Sequence, residues 1–333
     1  MELAAELTGR IADAFGLGRV HGCRVMTDGV MNATWRLATD AGTFAIKQLR
    51  DRTPEEIRVG LELLPRLAGL GFPVPLPRGR PMLVDGQWYA ATGWLDGVHP
   101  RGADLPPGRA EELGELVGRL HVALTELCPP APPTLSDTPE SAHQARQNLN
   151  KYFGRTAADA FDSVARGEIA WRLDLLDEVA EQGPAEADVA PCGWTHGDLQ
   201  PFNLLIGPDG RTGPDGRTVT GILDWDRLGV RPYGLEVVRT ATITFDTGGG
   251  NGPALDLVAA FARGYRRHIA ITDEQLADAA HRRWWTLATE TWQLHRHYED
   301  GDHGCDHLFF RRGAFLRWWT AHREELTAAL RGG

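Results

Sequence analysis

Lysine is nearly missing from this chain. Of 35 basic side chains only two are lysine, Lys47 and Lys151, and the other 33 are arginine. A lysine that persists inside an apolar strand, as Lys47 does, therefore needs a reason. Cysteine is scarce too. Cys23, Cys128, Cys192 and Cys305 lie far apart with no Cys-x-x-Cys pair, which excludes a disulfide framework and reads as isolated thiols in a reducing, cytoplasmic setting. No apolar run approaches the roughly 18 residues of a membrane span, so no membrane partner is expected. The first residues, Met1-Glu2-Leu3-Ala4-Ala5-Glu6, lack the basic and then apolar pattern of a secretory signal. An excess of positive charge is also missing. The net charge is −10, which argues against nucleic acid and permits a cationic small partner. What is there is 333 residues with 42% hydrophobic content, enough for two lobes with a substantial core.

The informative stretch is Trp194-Thr195-His196-Gly197-Asp198-Leu199-Gln200-Pro201-Phe202-Asn203-Leu204-Leu205-Ile206. An apolar strand follows at Val219 to Trp225 and closes on Asp224-Trp225-Asp226. Asp198 and Asn203 stand five positions apart on a turn stiffened by Pro201. A carboxylate to take a proton, an amide oxygen and a second carboxylate are what a magnesium-dependent phosphoryl transfer needs. The spacing matches the protein-kinase catalytic loop H-R-D-x-x-x-x-N. With Gly197 in place of the Arg, the stretch resembles the aminoglycoside phosphotransferase and choline kinase family.

That resemblance implies an α+β, two-lobed protein-kinase-like fold. Residues 1–95 would form a small antiparallel-sheet N-lobe, and residues 96–333 a mainly helical C-lobe. It implies ATP and Mg2+ as cofactors. Asp198 would be the catalytic carboxylate, and Asn203 and Asp224 would hold the metal. Phe44-Ala45-Ile46-Lys47 resembles the V-A-I-K strand, whose Lys meets the α and β phosphates. Glu62, on a helix over 54–70, is expected to orient Lys47. The turn holding Gly29 and Asn32 stands where kinases carry the phosphate loop. Thr92-Gly93-Trp94-Leu95-Asp96-Gly97 resembles the hinge whose backbone binds adenine, through Gly93, Trp94 and Leu95. His196 is expected to support the loop by hydrogen bonds. Asp226 is either a further metal ligand or a scaffold carboxylate. Glu236 stands where the family often has an Asp bracing the loop.

Three departures from protein kinases bear on the acceptor. Gly197 removes the Arg that reads a phosphorylated activation loop, Asp224-Trp225-Asp226 replaces Asp-Phe-Gly, and no Ala-Pro-Glu segment follows. A small-molecule acceptor is favoured over a protein. The expected activity is an ATP-dependent kinase of a small-molecule hydroxyl, with an antibiotic such as an aminoglycoside first. Metabolic kinases of choline, homoserine or a sugar are the alternative, and an inactive nucleotide-binding protein is a third reading. Glu290, Glu299, Asp300, Asp302 and Asp306 motivate the cationic acceptor. The tryptophans Trp284, Trp285, Trp292, Trp318 and Trp319 read as core more than as a substrate platform. Leu113-Gly114 to Leu120-His121 resembles a family helix, with His121 a packed residue. The tandem Gly-Pro-Asp-Gly-Arg-Thr copies at 207–218 read as a duplicated loop without a catalytic role. The histidines at 295, 297, 303 and 307, with Cys305 among them, lack zinc spacing, and no metal is expected there.

Overall fold

The computed structural model describes residues 5–26, 33–155, 159–207 and 219–332. The expected phosphate-loop residues Gly29 and Asn32, and almost all of the tandem repeat, lie outside the described residues. In chain order the first elements are α1 (Ala5–Ala14), β1 (Val20–Met26), β2 (Ala33–Thr39), β3 (Gly42–Gln48), α2 (Pro54–Gly69), β4 (Met82–Val84) and β5 (Gln87–Gly93). There follow α3 (Pro107–Leu127), β6 (Leu135–Asp137), α4 (Ala142–Phe153), α5 (Ala160–Glu178), β7 (Ala187–Val189), β8 (Cys192–Thr195), β9 (Leu204–Ile206), β10 (Val219–Ile222) and β11 (Gly229–Pro232). The chain ends in α6 (Tyr233–Thr244), α7 (Leu255–Arg266), α8 (Asp273–Thr289), α9 (Trp292–Tyr298), α10 (Asp306–Ala321) and α11 (Arg323–Leu330). An antiparallel sheet followed by helices is the expected α+β class.

The chain separates into two compact units. The first comprises 1–101, 119–130 and 194–230, and the second 102–118, 131–193 and 231–333. Unit 1 therefore takes the catalytic loop and the Asp224-Trp225-Asp226 turn along with the N-terminal sheet, where the sequence reading divided the chain at residue 95.

In unit 1 the five-stranded sheet runs β1-β2-β3-β5-β4. Alternation drives it. Trp35, Leu37, Phe44, Ile46, Tyr89 and Ala91 are buried on one face, where they meet Ile11 and Leu17 from α1 and the turn after it. Lys47 pairs with Thr34 and Ala90 in this sheet, so its neighbour Ile46 faces the core and its own side chain faces the other way. Helix α2 starts on a capping box. Thr53 Oγ1 accepts from the Glu56 N–H, Glu56 accepts from the Thr53 N–H, and Pro54 takes the first helical position. A short antiparallel pair, β9 with β10, follows the catalytic loop.

Unit 2 is mainly helical. Its core includes Trp284, Trp285 and Trp319, all buried, as the packing reading of the tryptophans expects. Trp171, Leu173, Leu176 and Val179 read in the sequence as one core stripe, and the structure departs from it. Leu176 and Val179 are buried, but Trp171 and Leu173 are only partly so, and Arg172 is fully buried. Its guanidinium donates to Glu168 and to the Glu290 carbonyl and lies over Phe309. A charge at an apolar position is tolerated where it is paired this way. The pattern over 273–299 is broken into α8 and α9 at Glu290 and Thr291.

Candidate active site

The catalytic loop is held by a closed ring of hydrogen bonds inside unit 1. The Asp198 N–H donates to His196 Nδ1 at 3.3 Å, and His196 Nε2 faces the Leu223 carbonyl at 2.9 Å. A carbonyl only accepts, so the proton sits on Nε2 and Nδ1 is the acceptor. The Leu223 N–H donates to the Asn203 carbonyl at 2.8 Å. Asn203 Nδ2 closes the ring on the Asp198 carbonyl at 2.7 Å and on Asp198 Oδ2 at 3.2 Å. His196 is fully buried and packs edge-on to Trp225 at 4.7 Å. With both ring nitrogens engaged, it supports the loop and is not free to act as a base.

Gly197 is needed here for its backbone. Its φ is +82°, a conformation that disfavours the Arg of protein kinases. Pro201 opens a 3-10 turn through Asn203, and the Asn203 N–H donates to Gln200. Gln200, which the motif did not single out, donates from Nε2 to Asp198 Oδ2 at 3.2 Å. Two side-chain amides thus meet one carboxylate oxygen and fix its plane. Because both contacts of Asn203 Nδ2 are to oxygens, the amide orientation is settled, and its Oδ1 makes no hydrogen bond among the described residues.

The second half of the site is the turn after β10. Asp224 adopts a left-handed backbone, φ 60° and ψ 72°, which L-residues reach only at a cost of about 1–3 kcal/mol. The carboxylates of Asp224 and Asp226 flank Lys47 Nζ at 2.8 and 2.5 Å. Burial works against the Lys47 charge, but the two carboxylates outweigh it and hold its pKa above the ordinary value. Burial likewise disfavours the Asp224 charge, and here the ammonium wins, so its pKa is lowered. Asp226 goes the other way. Burial, helped by the neighbouring carboxylate, raises its pKa despite Lys47. The two carboxylates are thus pushed in opposite directions, Asp224 down and Asp226 up.

Glu62 requires a correction. It is brought to Arg58, one turn away on the exposed face of α2, at 3.0 Å, and not to Lys47. The physical reason is desolvation. Lys47 and the Asp226 carboxylate are mostly withdrawn from water and meet there with Asp224 at the rim, whereas Glu62 is half exposed and is served by solvent and a helix neighbour. The true contribution of α2 is Gly60, which the sequence reading passed over. A Cβ there would come within 2.6 Å of the Trp225 carbonyl oxygen. A glycine in mid-helix facing a motif was the available signal.

At the expected hinge, the Gly93 N–H donates to Leu76 O and the Trp94 N–H to Thr43 O. The backbone N–H and C=O of Leu95 make no hydrogen bond within the described residues. Glu236 belongs to unit 2, buried in the first turn of α6, where its charge adds to burial in raising the Tyr265 pKa.

Comparison with known proteins decides the family. The sequence matches the phosphotransferase enzyme family APH over residues 22–271. The chain belongs to this family. It is 28% identical over 223 residues to a homoserine kinase of Rhodospirillum rubrum, covering 64% of this chain and 61% of that protein, so the chain spans about three-fifths of that relative. It is 26% identical over 314 residues to a homoserine kinase of Burkholderia multivorans, covering 91% and 81%. Among solved structures, a spectinomycin phosphotransferase in complex with ADP and spectinomycin superposes with a TM-score of 0.62 at 14% identity, over 98% of this chain and 97% of that one. That likeness establishes the fold, the protein-kinase-like arrangement of an antiparallel sheet followed by helices. The family is one of phosphotransferase enzymes. No helix among the described residues is long and apolar enough to cross a membrane.

Three of the acids expected to attract a cation are paired with Arg or Lys within unit 2, and the other two stand beside histidines. Glu290 pairs with Arg312, Glu299 with Arg155 and Lys151, Asp302 with Arg296, Asp306 with His297, and Asp300 approaches His295 at 3.8 Å. Burial pushes the Arg283 pKa down to about 10, and Arg283 has no hydrogen bond or ion pair. A cavity of about 450 Å³ in this unit is lined by Asn148, Lys151, Tyr152, Glu290, Trp292 and His295. Its wall carries both signs of charge.

Proposed function

We propose that this protein transfers the γ-phosphoryl group of ATP to a hydroxyl of a small molecule. The observation that carries the reading is the ring that fixes Asp198 and, among the described residues, leaves Asn203 Oδ1 unpartnered, one hydrogen bond from the turn of Asp224 through the Leu223 N–H. An amide oxygen and a carboxylate suit Mg2+, which takes oxygens and keeps several waters. When bound there, Mg2+ would neutralise phosphate charge. Asp198, oriented by Gln200 and Asn203, accepts or orients the proton of the attacking hydroxyl. Lys47 supplies positive charge for the α and β phosphates. Its two carboxylate partners hold it at the strand end. Leu95 offers its free backbone N–H and C=O to the adenine edge. Asp226 stays with Lys47 as a scaffold carboxylate.

For the acceptor, the pairing of these acids within unit 2 weakens the argument for a polycation. The relatives named homoserine kinase, one matching 91% of this chain, favour a small amino-acid alcohol. An antibiotic acceptor is the second reading, favoured by the likeness to the spectinomycin enzyme. The deciding experiment measures ADP release with Mg2+ and ATP across homoserine, choline, sugars, spectinomycin and aminoglycosides. Homoserine is expected to stimulate most. Stimulation by an antibiotic alone would establish the second reading, and no stimulation together with no ATP binding would overturn the phosphotransferase assignment of this chain.

A further inference from the structure

Two sequence-distant pieces of unit 2, the α9–α10 turn and the start of α5, bring two imidazoles and two carboxylates together. His297 is buried near the end of α9, His303 opens the following 3-10 turn, Asp306 opens α10, and Asp159 caps the start of α5. His297 Nδ1 lies 3.0 Å from each oxygen of Asp306 and 3.0 Å from His303 Nδ1. His303 Nδ1 is 3.5 Å from Asp306 Oδ2. These separations match the edge of a tetrahedron built on metal–ligand bonds of about 2.0–2.2 Å, which is roughly 3.4 Å. Asp159 Oδ2 lies 3.9 Å from His297 Nε2, the other ring nitrogen. Asp159, His297 and His303 each offer an atom within 4.8 Å of the others.

Hydrogen bonding alone serves this cluster poorly. If His297 Nδ1 carries a proton, Asp306 takes it, and His303 Nδ1 then faces a nitrogen with no lone pair to give. If it carries none, the carboxylate faces a lone pair. Were both Nδ1 atoms protonated, Asp306 could accept from each, but the two N–H groups would then face one another at 3.0 Å; one cation serves all three contacts. We propose that His297 Nδ1, His303 Nδ1 and the Asp306 carboxylate form a binding site for a divalent transition metal of the zinc type. Asp159 stands behind the other ring nitrogen of His297 at 3.9 Å, beyond direct hydrogen-bond distance, where its charge favours a proton on Nε2. Two imidazoles and one carboxylate suit Zn2+, Co2+ or Ni2+ better than Mg2+ or Ca2+, which prefer oxygen. The supports are built in. Phe161 stacks on His297 at 4.0 Å, and Asp302 accepts from the Gly304 N–H to shape the turn that carries His303. The bound ion would clasp the α9–α10 turn. The sequence concealed this because the spacing from His297 to His303 to Asp306 matches no common zinc pattern and Asp159 comes from far away.

The test titrates the metal-stripped full chain with Zn2+, without nucleotide, in competition with a chromophoric chelator. Wild type is expected to hold one equivalent at micromolar affinity or tighter, and Zn2+ to raise its melting temperature. His303→Ala, an exposed position whose circular dichroism should match wild type, is expected to weaken binding at least tenfold and abolish the thermal shift. Asp159→Asn is expected to weaken it about tenfold. Asp224→Ala separates this site from the phosphoryl-transfer site and should leave the equivalent in place. Co2+ should give the visible bands of a tetrahedral site in wild type and not in His303→Ala. Failure of wild type to retain an equivalent would overturn the proposal, as would an equivalent lost in Asp224→Ala but kept in His303→Ala.

Discussion

Asp198 is held by His196, Gln200 and Asn203, which act on its backbone and its carboxylate at once. Proton acceptance by such a group contributes about 10²–10⁴-fold. Asp198→Ala is therefore expected to lose turnover by that order while calorimetry still shows ATP binding; turnover within a few-fold of wild type would remove Asp198 from the chemistry. Lys47, Asp224 and Asp226 give a pH-dependent test. A carboxylate whose folded pKa is lowered contributes stability above its ordinary value of about 3.9, and loses it as pH falls through the folded value. Asp224 is of this kind. Asp226 has a raised pKa, so its ionisation costs stability as pH rises out of the ordinary carboxylate range. Urea unfolding at pH 7 should show Asp224→Asn more destabilised than Asp226→Asn, with the gap closing as pH falls below about 3.9. The reverse order would contradict these opposite shifts. Lys47→Ala leaves both carboxylates without their ammonium and should cost about 3–5 kcal/mol.

Helix α2 contributes to the site by its closeness rather than by a charge. Gly60 lets it lie against the turn that carries Asp224 and Asp226. Gly60→Ala would normally favour a helix by up to about 1 kcal/mol. Here it should destabilise the protein and weaken Mg-ATP binding, because a backbone carbonyl must move. A stabilised variant with normal affinity would show that the close approach does not matter. Glu62→Gln on the same helix removes only an exposed pair with Arg58 and should change stability by less than about 1 kcal/mol and leave turnover near wild type. A hundredfold loss of turnover would restore Glu62 as the partner of Lys47.

At the scale of the whole molecule, unit 1 is discontinuous in sequence. Its sheet comes from the first 101 residues and its metal-binding candidates from 194–230. A fragment of residues 1–101 alone should therefore show no Mg-ATP binding by calorimetry, while the full chain does; binding by the fragment would place the nucleotide site wholly within the N-terminal sheet.

Local chemistry determined much on its own. The spacing of Asp198, Asn203 and Asp224, the solitary strand lysine, and the capped helix after Thr53 are patterns that neighbours in sequence enforce, so they were readable as a phosphotransferase site and an α+β fold. The partner of Lys47 was not readable, because three acids compete for one ammonium and the tertiary fold, which a sequence does not state, brings Asp224 and Asp226 to it and leaves Glu62 with Arg58. Nor was the pairing of the C-terminal acids, whose arginines come from up to about 140 residues away. His297 and His303 are six positions apart in sequence, yet only the fold sets their nitrogens face to face across Asp306. Residue type and spacing settle which chemistry is available, and the low-dielectric interior, assembled from distant segments, settles which charges meet.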